Sequence, residues 1–287
     1  MSAETLADWL RCPVCTEPLT PAAATILGCV NGHRFDINKR GYATLLGSRS
    51  RVAGDTPAML DARSRVLERG TYAPIVDTLD AALDQLVTTH RVIDAGAGTG
   101  YYLRSLLASR PTARGLALDL SSAGVARAVR SADRIDGVVA DTWQPLPVRD
   151  GIADVILNIF APRNLPEFYR ILAPEGTLVV VVPRPEHLHE LREDGRMLDV
   201  PADKAATLIE STAPLFAHTG STAVVFDIVY DAALADSLVA MGPSAHHMQD
   251  VGNDSTDTVE PTHSSATVAV DVLTFAPRQA GLNATEV

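Results

Sequence analysis

Four side chains near the start of the chain have the types and the spacing of a metal site. Two residues separate Cys12 from Cys15, three separate Cys29 from His33, and 13 lie between the two pairs. The chain has only 3 cysteines, and all of them lie in this segment. Two such pairs can surround a zinc ion tetrahedrally. We expect a structural zinc ion, because four protein ligands leave no open position for catalysis.

A glycine-rich turn occurs in the sequence VIDAGAGTGYY. It places Gly96, Gly98 and Gly100 after a predicted strand and before a predicted helix. Glycines are needed where a backbone turns tightly and lets a ligand approach it closely. Asp119 ends the next predicted strand, 19 residues after Gly100, where a carboxylate can accept hydrogen bonds from the two hydroxyls of a ribose. The pattern therefore indicates a cofactor that contains a nucleoside.

Two classes of cofactor are bound with this geometry. Dinucleotide enzymes have the pattern G-x-G-x-x-G, whose last glycine lies inside the helix. This chain instead has Asp94, three alternating glycines and Tyr101, which resembles the Rossmann-type methyltransferases that use S-adenosylmethionine. The resemblance implies that Asp94 lies near the methionine part of the cofactor, Asp119 at the ribose and Asp141 at the adenine. A nicotinamide enzyme and a fold that has lost its cofactor are the alternatives.

The elements that must position these side chains alternate between strands and helices after residue 90. Apolar strands are predicted at 91–96, 115–120, 137–141, 153–162 and 177–183, with helices at 101–110, 121–132 and 164–176. This alternation predicts a parallel sheet with helices on both faces. Two more strands, at 221–231 and 266–277, flank another helix. We expect an α/β fold: a Rossmann-type class I methyltransferase domain with an N-terminal zinc-ribbon-like module.

Composition sets limits on the function. The net charge of −11 argues against nucleic-acid binding, because a polyanion should meet a positively charged protein surface. Between residues 31 and 54, however, five basic residues accompany a single acidic one: Arg34, Lys39, Arg40, Arg49 and Arg51. A solvated face and a nucleic-acid surface are both compatible with this cluster.

The sequence lacks the usual signals for export or membrane insertion. The first residues contain neither a basic segment nor an apolar core of the kind found in signal peptides. The longest apolar run, TLVVVV near residue 180, is far shorter than the ~18 residues that span a membrane. We therefore expect a soluble cytoplasmic protein with no membrane partner.

The order of motifs along the chain resembles a known family. After the zinc module comes the pattern F-D-x-x-K-x-G-Y-x-x-L-L, at residues 35–46. It is followed by GDTPAMLDAR, GTYAP, DAGAGTGYY, IFAP, APEG, EHLHEL and MGPSA. These motifs, in this order, resemble those of the 23S rRNA (guanine-N1)-methyltransferases, a family that includes a resistance determinant against a macrolide antibiotic.

The resemblance implies further roles and partners. It implies that Tyr72, Gly100, Tyr101 and His187 contact S-adenosylmethionine, in addition to the acidic residues and the other glycines. It also implies a homodimer whose subunits form an RNA-binding cleft, with a hairpin of 23S rRNA as the partner. The five basic residues after the zinc ligands are then expected to bind RNA, with Tyr42 as a stacking surface.

The predicted organisation has three parts. Residues 1–55 form a zinc-binding RNA-recognition module, residues 56–90 a helical connector, and residues 91–287 a methyltransferase domain that uses S-adenosylmethionine. Within the last part, residues 246–264 are polar and acidic and lack periodicity, so we expect a mobile loop there.

The implied reaction is methylation of N1 of a guanine in a hairpin loop of 23S rRNA. N1 lies on the pairing edge, so the base must be unpaired or flipped, and the main task is to align N1 with the methyl group and sulfur. We expect Asn158 and the turn at 160–162 to position the base. Two other functions fit the residues: methylation of a small molecule, and a non-catalytic ribosome-assembly protein that binds RNA.

Overall fold

A computed structural model describes residues 2–47, 54–84, 90–193, 197, 199–201, 203–242 and 265–279. The predicted mobile loop at 246–264 lies outside the described residues, and so do Arg49 and Arg51.

The N-terminal segment combines a short helix with small strands. The Ser2 hydroxyl accepts a hydrogen bond from the Thr5 N–H and so caps the first helix. The first three strands form an antiparallel sheet in sequence order, whereas the fourth pairs elsewhere. The elements are α1 (Ala3–Ala7), β1 (Thr20–Ala23), β2 (Ile26–Gly28), β3 (Arg34–Asp36) and β4 (Tyr42–Thr44).

Two helices connect this segment to the main sheet, as predicted for residues 57–70 and for the start of 72–90. Thr56 caps the first of them through its side chain, and Pro57 occupies the first turn, where its missing N–H costs no hydrogen bond. The helices are α2 (Pro57–Glu68) and α3 (Ala73–Leu83).

The main sheet has eight strands in the order β10-β11-β9-β8-β5-β6-β7-β4. The pairings from β4 to β9 are parallel, and β11 and β10 add antiparallel strands at one edge. The elements are β5 (Arg91–Ala95), α4 (Tyr101–Ser109), β6 (Arg114–Asp119), α5 (Ser122–Ser131), β7 (Ile135–Val139), β8 (Ala153–Ile159), α6 (Leu165–Ile171), β9 (Leu172–Pro183), α7 (His189–Glu193), α8 (Lys204–Thr212), β10 (Phe216–Val229), α9 (Ala232–Ala240) and β11 (Ser265–Pro277).

Both faces of the central strands are buried. Adjacent residues point to opposite faces, so Val92 belongs to one apolar cluster and Ile93 to the other. Leu157 and Ile156 divide between the same two clusters. Each such side chain contributes about 1.5–3 kcal/mol when fully buried. Burial on both faces explains why these strands are continuous apolar runs in the sequence.

Two boundaries differ from expectation. The predicted helix at 164–176 ends at Ile171, and β9 begins at Leu172, so the sequence APEG lies in the strand. Pro174 lacks the N–H that a continuing helix would need. The segment assigned to the zinc module also contributes β4 to the edge of the main sheet, next to β7. The predicted domain boundary at residue 55 therefore does not coincide with a boundary between the two sheets, because β4 belongs to the main sheet.

A buried carboxylate ties the first helix to the main sheet. Asp136 in β7 is 2% exposed and accepts hydrogen bonds from Thr5 Oγ1 at 2.7 Å and Trp9 Nε1 at 3.0 Å. Arg114 Nη2 donates to the same carboxylate at 2.9 Å. These bonds satisfy the buried charge and fix the zinc-bearing segment against the sheet.

Candidate functional site

The three cysteines and His33 converge on one point. Their ligand atoms all lie within 4.8 Å of one another. His33 Nδ1 lies 3.6, 3.5 and 3.4 Å from the sulfurs of Cys12, Cys15 and Cys29, and Cys15 Sγ lies 3.6 Å from Cys29 Sγ. A tetrahedron with zinc–ligand bonds of about 2.0–2.3 Å has edges of about 3.5–3.8 Å. Hydrogen bonding to Asn31 lowers the pKa of Cys15 to about 6, which favours the thiolate that zinc requires.

Backbone hydrogen bonds shape the two turns that carry the ligands. The Cys12 N–H donates to the Glu17 carbonyl at 2.7 Å and closes the first turn. The Cys29 N–H donates to the His33 carbonyl at 3.1 Å, and the Gly32 N–H donates to the Cys29 carbonyl at 3.0 Å. Cys12, Cys15, Cys29 and His33 thus have the donor set and the spacing that fit a structural zinc ion, with no ligand position left open.

A cleft of about 650 Å³ opens at the carboxyl ends of β5, β6, β7 and β8. The strand β5 pairs with β6 on one side and β8 on the other, and ligands of open α/β sheets bind where the strand order reverses in this way. Eight of the predicted cofactor residues line the cleft: Tyr72, Asp94, Gly96, Gly98, Tyr101, Asp119, Asp141 and His187.

Two acidic residues follow strand ends in the cleft. Asp119 accepts hydrogen bonds from the Gly98 N–H at 2.8 Å and the Ser121 N–H at 2.7 Å, one on each oxygen. Each oxygen keeps a lone pair for a ribose hydroxyl. Burial raises the pKa of Asp119, while these hydrogen bonds oppose the shift. Asp141 accepts a hydrogen bond from the Trp143 N–H at 3.0 Å, which holds its carboxylate at the next strand end.

The described lining of the cleft includes a buried carboxyl group and two buried hydroxyls without partners. Asp94 is 2% exposed, and burial, followed by the nearby charge of Asp119, raises its pKa to about 8. The buried hydroxyls of Tyr72 and Tyr102 have no hydrogen-bond partner within the described part of the chain. Buried polar groups are almost always satisfied, so these atoms indicate a polar ligand. An ammonium group, a sulfonium group and a ribose fit them, as S-adenosylmethionine requires.

Two glycines of the loop have different roles. Gly96 has a φ of +93°, and a Cβ there would lie 2.3 Å from the Cβ of Ala161, so the loop contacts the turn after β8. Gly100 has a φ of +77°, and a Cβ there would lie 2.6 Å from the Cβ of Ala128 in α5. The predicted contact of Gly100 with the cofactor is not supported, because Gly100 serves the packing of α4 on α5 and does not line the cleft.

Three aromatic rings lie close together in the lining of the cleft. Ring centroids are 6.3 Å apart for Tyr72 and Phe160, 6.1 Å for Tyr72 and His187, and 5.8 Å for Phe160 and His187. Phe160 follows β8 directly, has a φ of +52° and is 41% exposed. A non-glycine residue in this conformation is uncommon, and the turn presents an aromatic ring to the cleft.

The environment of His187 fixes its hydrogen-bonding role. Its Nδ1 accepts a hydrogen bond from the Ala269 N–H at 3.3 Å. Burial, aided by the charges of Arg192 and Lys204, lowers the pKa of His187 to about 4, so the ring is neutral at neutral pH. In a neutral imidazole with Nδ1 as acceptor, Nε2 carries the hydrogen. His187 is therefore a hydrogen-bond donor in the cleft.

The amide nitrogen of Asn158 binds two backbone carbonyls. The side chain is 0% exposed, and Nδ2 donates to the Ala95 carbonyl at 3.0 Å and to the Pro162 carbonyl at 2.8 Å. Its Oδ1 is buried too and has no hydrogen-bond partner within the described residues, so the contact with the base stays a prediction. Asn158 holds the turn after β8 against the end of β5, because its amide joins the two backbones.

Sequence reasoning missed several residues that line the cleft. Arg63 forms an ion pair with Asp55, and its Nη2 donates to the Met241 carbonyl at 2.9 Å. A Cβ on Gly98 would lie 2.8 Å from Arg63 Nη1, so the guanidinium group covers the glycine loop. The motif GDTPAMLDAR was the only signal for Arg63. The other missed residues come from separate elements and carry no motif: Trp143, Arg163, Asp199 and Lys204.

The predicted RNA-binding residues have mixed positions. Arg34, Lys39 and Arg40 are exposed. Tyr42 is only 4% exposed and packs in an apolar cluster with Val125 of α5, so the expectation of a stacking surface there is wrong. Its position in β4, between the sheet and α5, explains the burial.

Within the described ranges, no helix combines the length and the apolar character that crossing a membrane requires.

Comparison with family models assigns both parts of the chain. A zinc-ribbon model described as "RlmA, N-terminal" matches residues 10–51, which contain all four zinc ligands. A model described as "Methyltransferase domain" matches residues 92–176, which contain the glycine loop and the strand ends around the cleft.

Curated relatives match most of the chain. A 23S rRNA (guanine(748)-N(1))-methyltransferase from Streptomyces fradiae is 41% identical over 83% of this chain and 86% of its own length. A putative 23S rRNA (guanine-N(1)-)-methyltransferase from Micromonospora griseorubida is 40% identical over 83% of this chain and 87% of its own. A putative 23S rRNA (guanine-N(1)-)-methyltransferase from Bacillus subtilis is 32% identical over 64% of this chain and 67% of its own length. The chain therefore belongs to the 23S rRNA (guanine-N1)-methyltransferase family.

Proposed function

We propose that this protein transfers a methyl group from S-adenosylmethionine to N1 of a guanine in a hairpin loop of 23S rRNA. The observation that carries the proposal is a single cleft whose lining combines two kinds of side chain. Acidic residues at strand ends form what we call the donor end, and the exposed ring of Phe160, on the turn after β8, marks what we call the acceptor end. Family membership supplies the substrate class.

In this proposal the donor end would hold the cofactor. Asp94 would face the cationic methionine part, Asp119 the ribose, and Asp141 with Trp143 the adenine. The chemistry that the cofactor supplies there is an electrophilic methyl group on a sulfonium. The chain contributes alignment, because the contact between Gly96 and Ala161 places the glycine loop directly beside the acceptor turn.

The acceptor end suits a flat base. Phe160 offers a ring for stacking, and an extruded base is commonly held by such a ring together with polar contacts to its pairing edge. His187 can donate a hydrogen bond from Nε2, and its Nδ1 is occupied as an acceptor by the Ala269 N–H. On this arrangement His187 does not accept the proton that guanine N1 loses.

A different carboxylate is needed to accept that proton. Among the described residues, five acidic side chains line the cleft; Asp55 pairs with Arg63, and the proposal assigns three others to the donor end. The fifth is Asp199, in the segment that precedes α8. We propose that Asp199 accepts the N1 proton as N1 bonds to the methyl carbon and the carbon–sulfur bond breaks.

The RNA surface that we propose continues outside the cleft. Arg34, Lys39 and Arg40 are exposed on the zinc-bearing segment, where backbone charges of a hairpin would meet them. The proposal also assigns RNA binding to Arg49 and Arg51. We further propose a cytoplasmic homodimer and a contribution to macrolide resistance, on the basis of the family resemblance.

The test is methyl transfer from labelled S-adenosylmethionine to protein-free 23S rRNA, followed by primer extension. A methyl group on N1 blocks pairing, so reverse transcriptase should stop one nucleotide before the target guanine. The stop should vanish without the cofactor and with the variant D119A. If the protein binds the cofactor but leaves the rRNA unlabelled, the proposal is overturned and methylation of a small molecule takes its place.

A further inference from the structure

Two basic side chains share the acceptor end of the cleft. Arg163 lies on the turn that carries Phe160, three residues further along the chain. Lys204 is the first residue of α8 and lines the same cleft. Both side chains are partly buried. They come from elements far apart in the sequence, so only the fold brings them together.

Within the described residues, no carboxylate pairs with either of these two charges. Burial lowers the pKa of Arg163, and burial followed by the charge of Arg163 lowers the pKa of Lys204. No acidic residue contributes to either shift. In the described part of the chain, neither side chain enters an ion pair within 4.0 Å. Two like charges held together at a partly buried position are unfavourable unless an anion binds between them.

The position of the two cations in the cleft indicates which anion they bind. The cofactor has one anionic group, its amino-acid carboxylate, which belongs with the ammonium group at the Asp94 end. Arg163 instead follows Phe160 by three residues on the same turn, and the charge of Lys204 acts on His187, whose ring stacks on that of Phe160. The ribose-phosphate of an extruded nucleotide would follow its stacked base there. We propose that Arg163 and Lys204 bind the phosphodiester of the guanosine nucleotide that is methylated. This inference rests on the proposed function and adds to it the group that selects a polynucleotide over a small molecule.

The chemistry of the pair suits this role. The guanidinium group of an arginine binds two phosphate oxygens at once, whereas a lysine acts as a point charge that adapts to the backbone. A contact of this kind carries no base specificity, so it positions the nucleotide while the aromatic rings receive the base.

The first test compares the variants R163Q and K204Q with R130Q. Arg130 is exposed on α5 and does not line the cleft, so it is the matched control. We expect R163Q and K204Q each to raise KM for the rRNA hairpin about tenfold. Each should reduce the dependence of log affinity on log salt by about 0.7 for one lost phosphate contact. The dissociation constant of S-adenosylmethionine should stay unchanged, and R163K should recover most of the affinity.

A chemical substitution in the RNA tests the partner of the two cations directly. A methylphosphonate at the phosphate on either side of the target guanosine removes one negative charge. The change should weaken RNA binding by the wild-type protein about tenfold at one of the two positions. The variant R163Q/K204Q should be insensitive to it there, because the interaction is already absent.

A footprint needs no variant and therefore covers the case in which substitution disturbs folding. Lys204 is one of only two lysines in the chain, the other being Lys39. Acylation followed by mass spectrometry should show that the hairpin protects Lys204, whereas S-adenosylmethionine alone does not. Protection by the cofactor alone would assign the pair to the cofactor carboxylate and overturn the inference.

The outcomes separate the two proposals. If the wild-type protein gives the primer-extension stop but R163Q and K204Q keep the wild-type KM and salt dependence, only the phosphate site is overturned. If the wild-type protein gives no stop on rRNA, the proposed function is overturned, and the phosphate site with it.

Discussion

The backbone N–H of Ala269 donates a hydrogen bond to Nδ1 of His187 at 3.3 Å, across 82 residues of sequence. This single contact from β11 fixes the tautomer of a ring that lines the cofactor cleft. It distinguishes His187 from a general base, because the acceptor nitrogen is already occupied.

The tautomer of His187 is directly measurable. In ¹⁵N spectra of labelled protein, one histidine should show a non-protonated Nδ1 and a protonated Nε2 from pH 8 down to about pH 5, since its pKa is lowered to about 4. The variant H187Q should remove that signal and assign it. A signal that titrates near pH 6.5, the ordinary value, would contradict the assignment.

Cofactor affinity should depend on pH through Asp94. Its pKa is raised to about 8 in the free protein, so the carboxyl group is mostly protonated at pH 6. The cationic cofactor favours the ionised form. Affinity should therefore rise with pH, at most about tenfold per unit, between pH 6 and pH 7.5. Calorimetry in buffers of different ionisation enthalpy should show proton release on binding.

The variant D94N is the control for this dependence. It should bind the cofactor weakly and with little change in affinity across the same pH range. An equally steep dependence in D94N would assign the titration to another group, such as the cofactor's own amino group, whose pKa is about 8.

Asp199→Asn should slow methyl transfer without weakening cofactor binding. Loss of a positioned general base typically costs about 10²–10⁴ in rate. The matched control is Asp203→Asn, because Asp203 is exposed at the start of α8 and its side chain makes no capping hydrogen bond. Single-turnover kinetics with 23S rRNA would measure the rates. A wild-type rate for D199N would exclude Asp199 as the proton acceptor.

Removal of zinc should destabilise more than the metal-binding turns. Cys12, Leu19 and Leu27 pack in one apolar cluster with Leu146 and Val148 of the main domain. Loosening of the two turns therefore also exposes apolar side chains of the main domain to water. A loss of about 3 kcal/mol would lower Tm by roughly 6–12 °C. Mass spectrometry should find one zinc per chain in the wild-type protein and in H33C, but less in C29S. An unchanged Tm after chelation would contradict the structural role.

Neutralising the exposed basic surface should weaken RNA binding and lower its sensitivity to salt. The triple variant R34Q/K39Q/R40Q removes three described cations, and each lost phosphate contact should reduce the salt slope by about 0.7–0.9. The control R69Q/R130Q removes exposed charges from other helices. Filter binding at several salt concentrations provides the measurement. Equal salt slopes for the two variants would show that Arg34, Lys39 and Arg40 form only a solvated surface and do not bind RNA.

The sequence by itself determined the features that rest on local pattern. The zinc ligands follow from donor type and spacing, because each pair lies on one short turn. The glycine loop and the strand-end positions of Asp94 and Asp119 follow from the alternation of apolar strands and helices, since parallel strands bring their carboxyl ends to one edge. Predicting these features requires little information about contacts between residues that are distant in the sequence.

Only the tertiary structure decided which distant side chains share the cleft. Arg163, Asp199 and Lys204 come from three segments and carry no common motif, so no periodicity predicts that they meet. Packing likewise overrode one local expectation. Tyr42 is covered because β4 extends the main sheet beneath α5. Such outcomes depend on register and on contacts between remote elements, which short-range patterns do not encode.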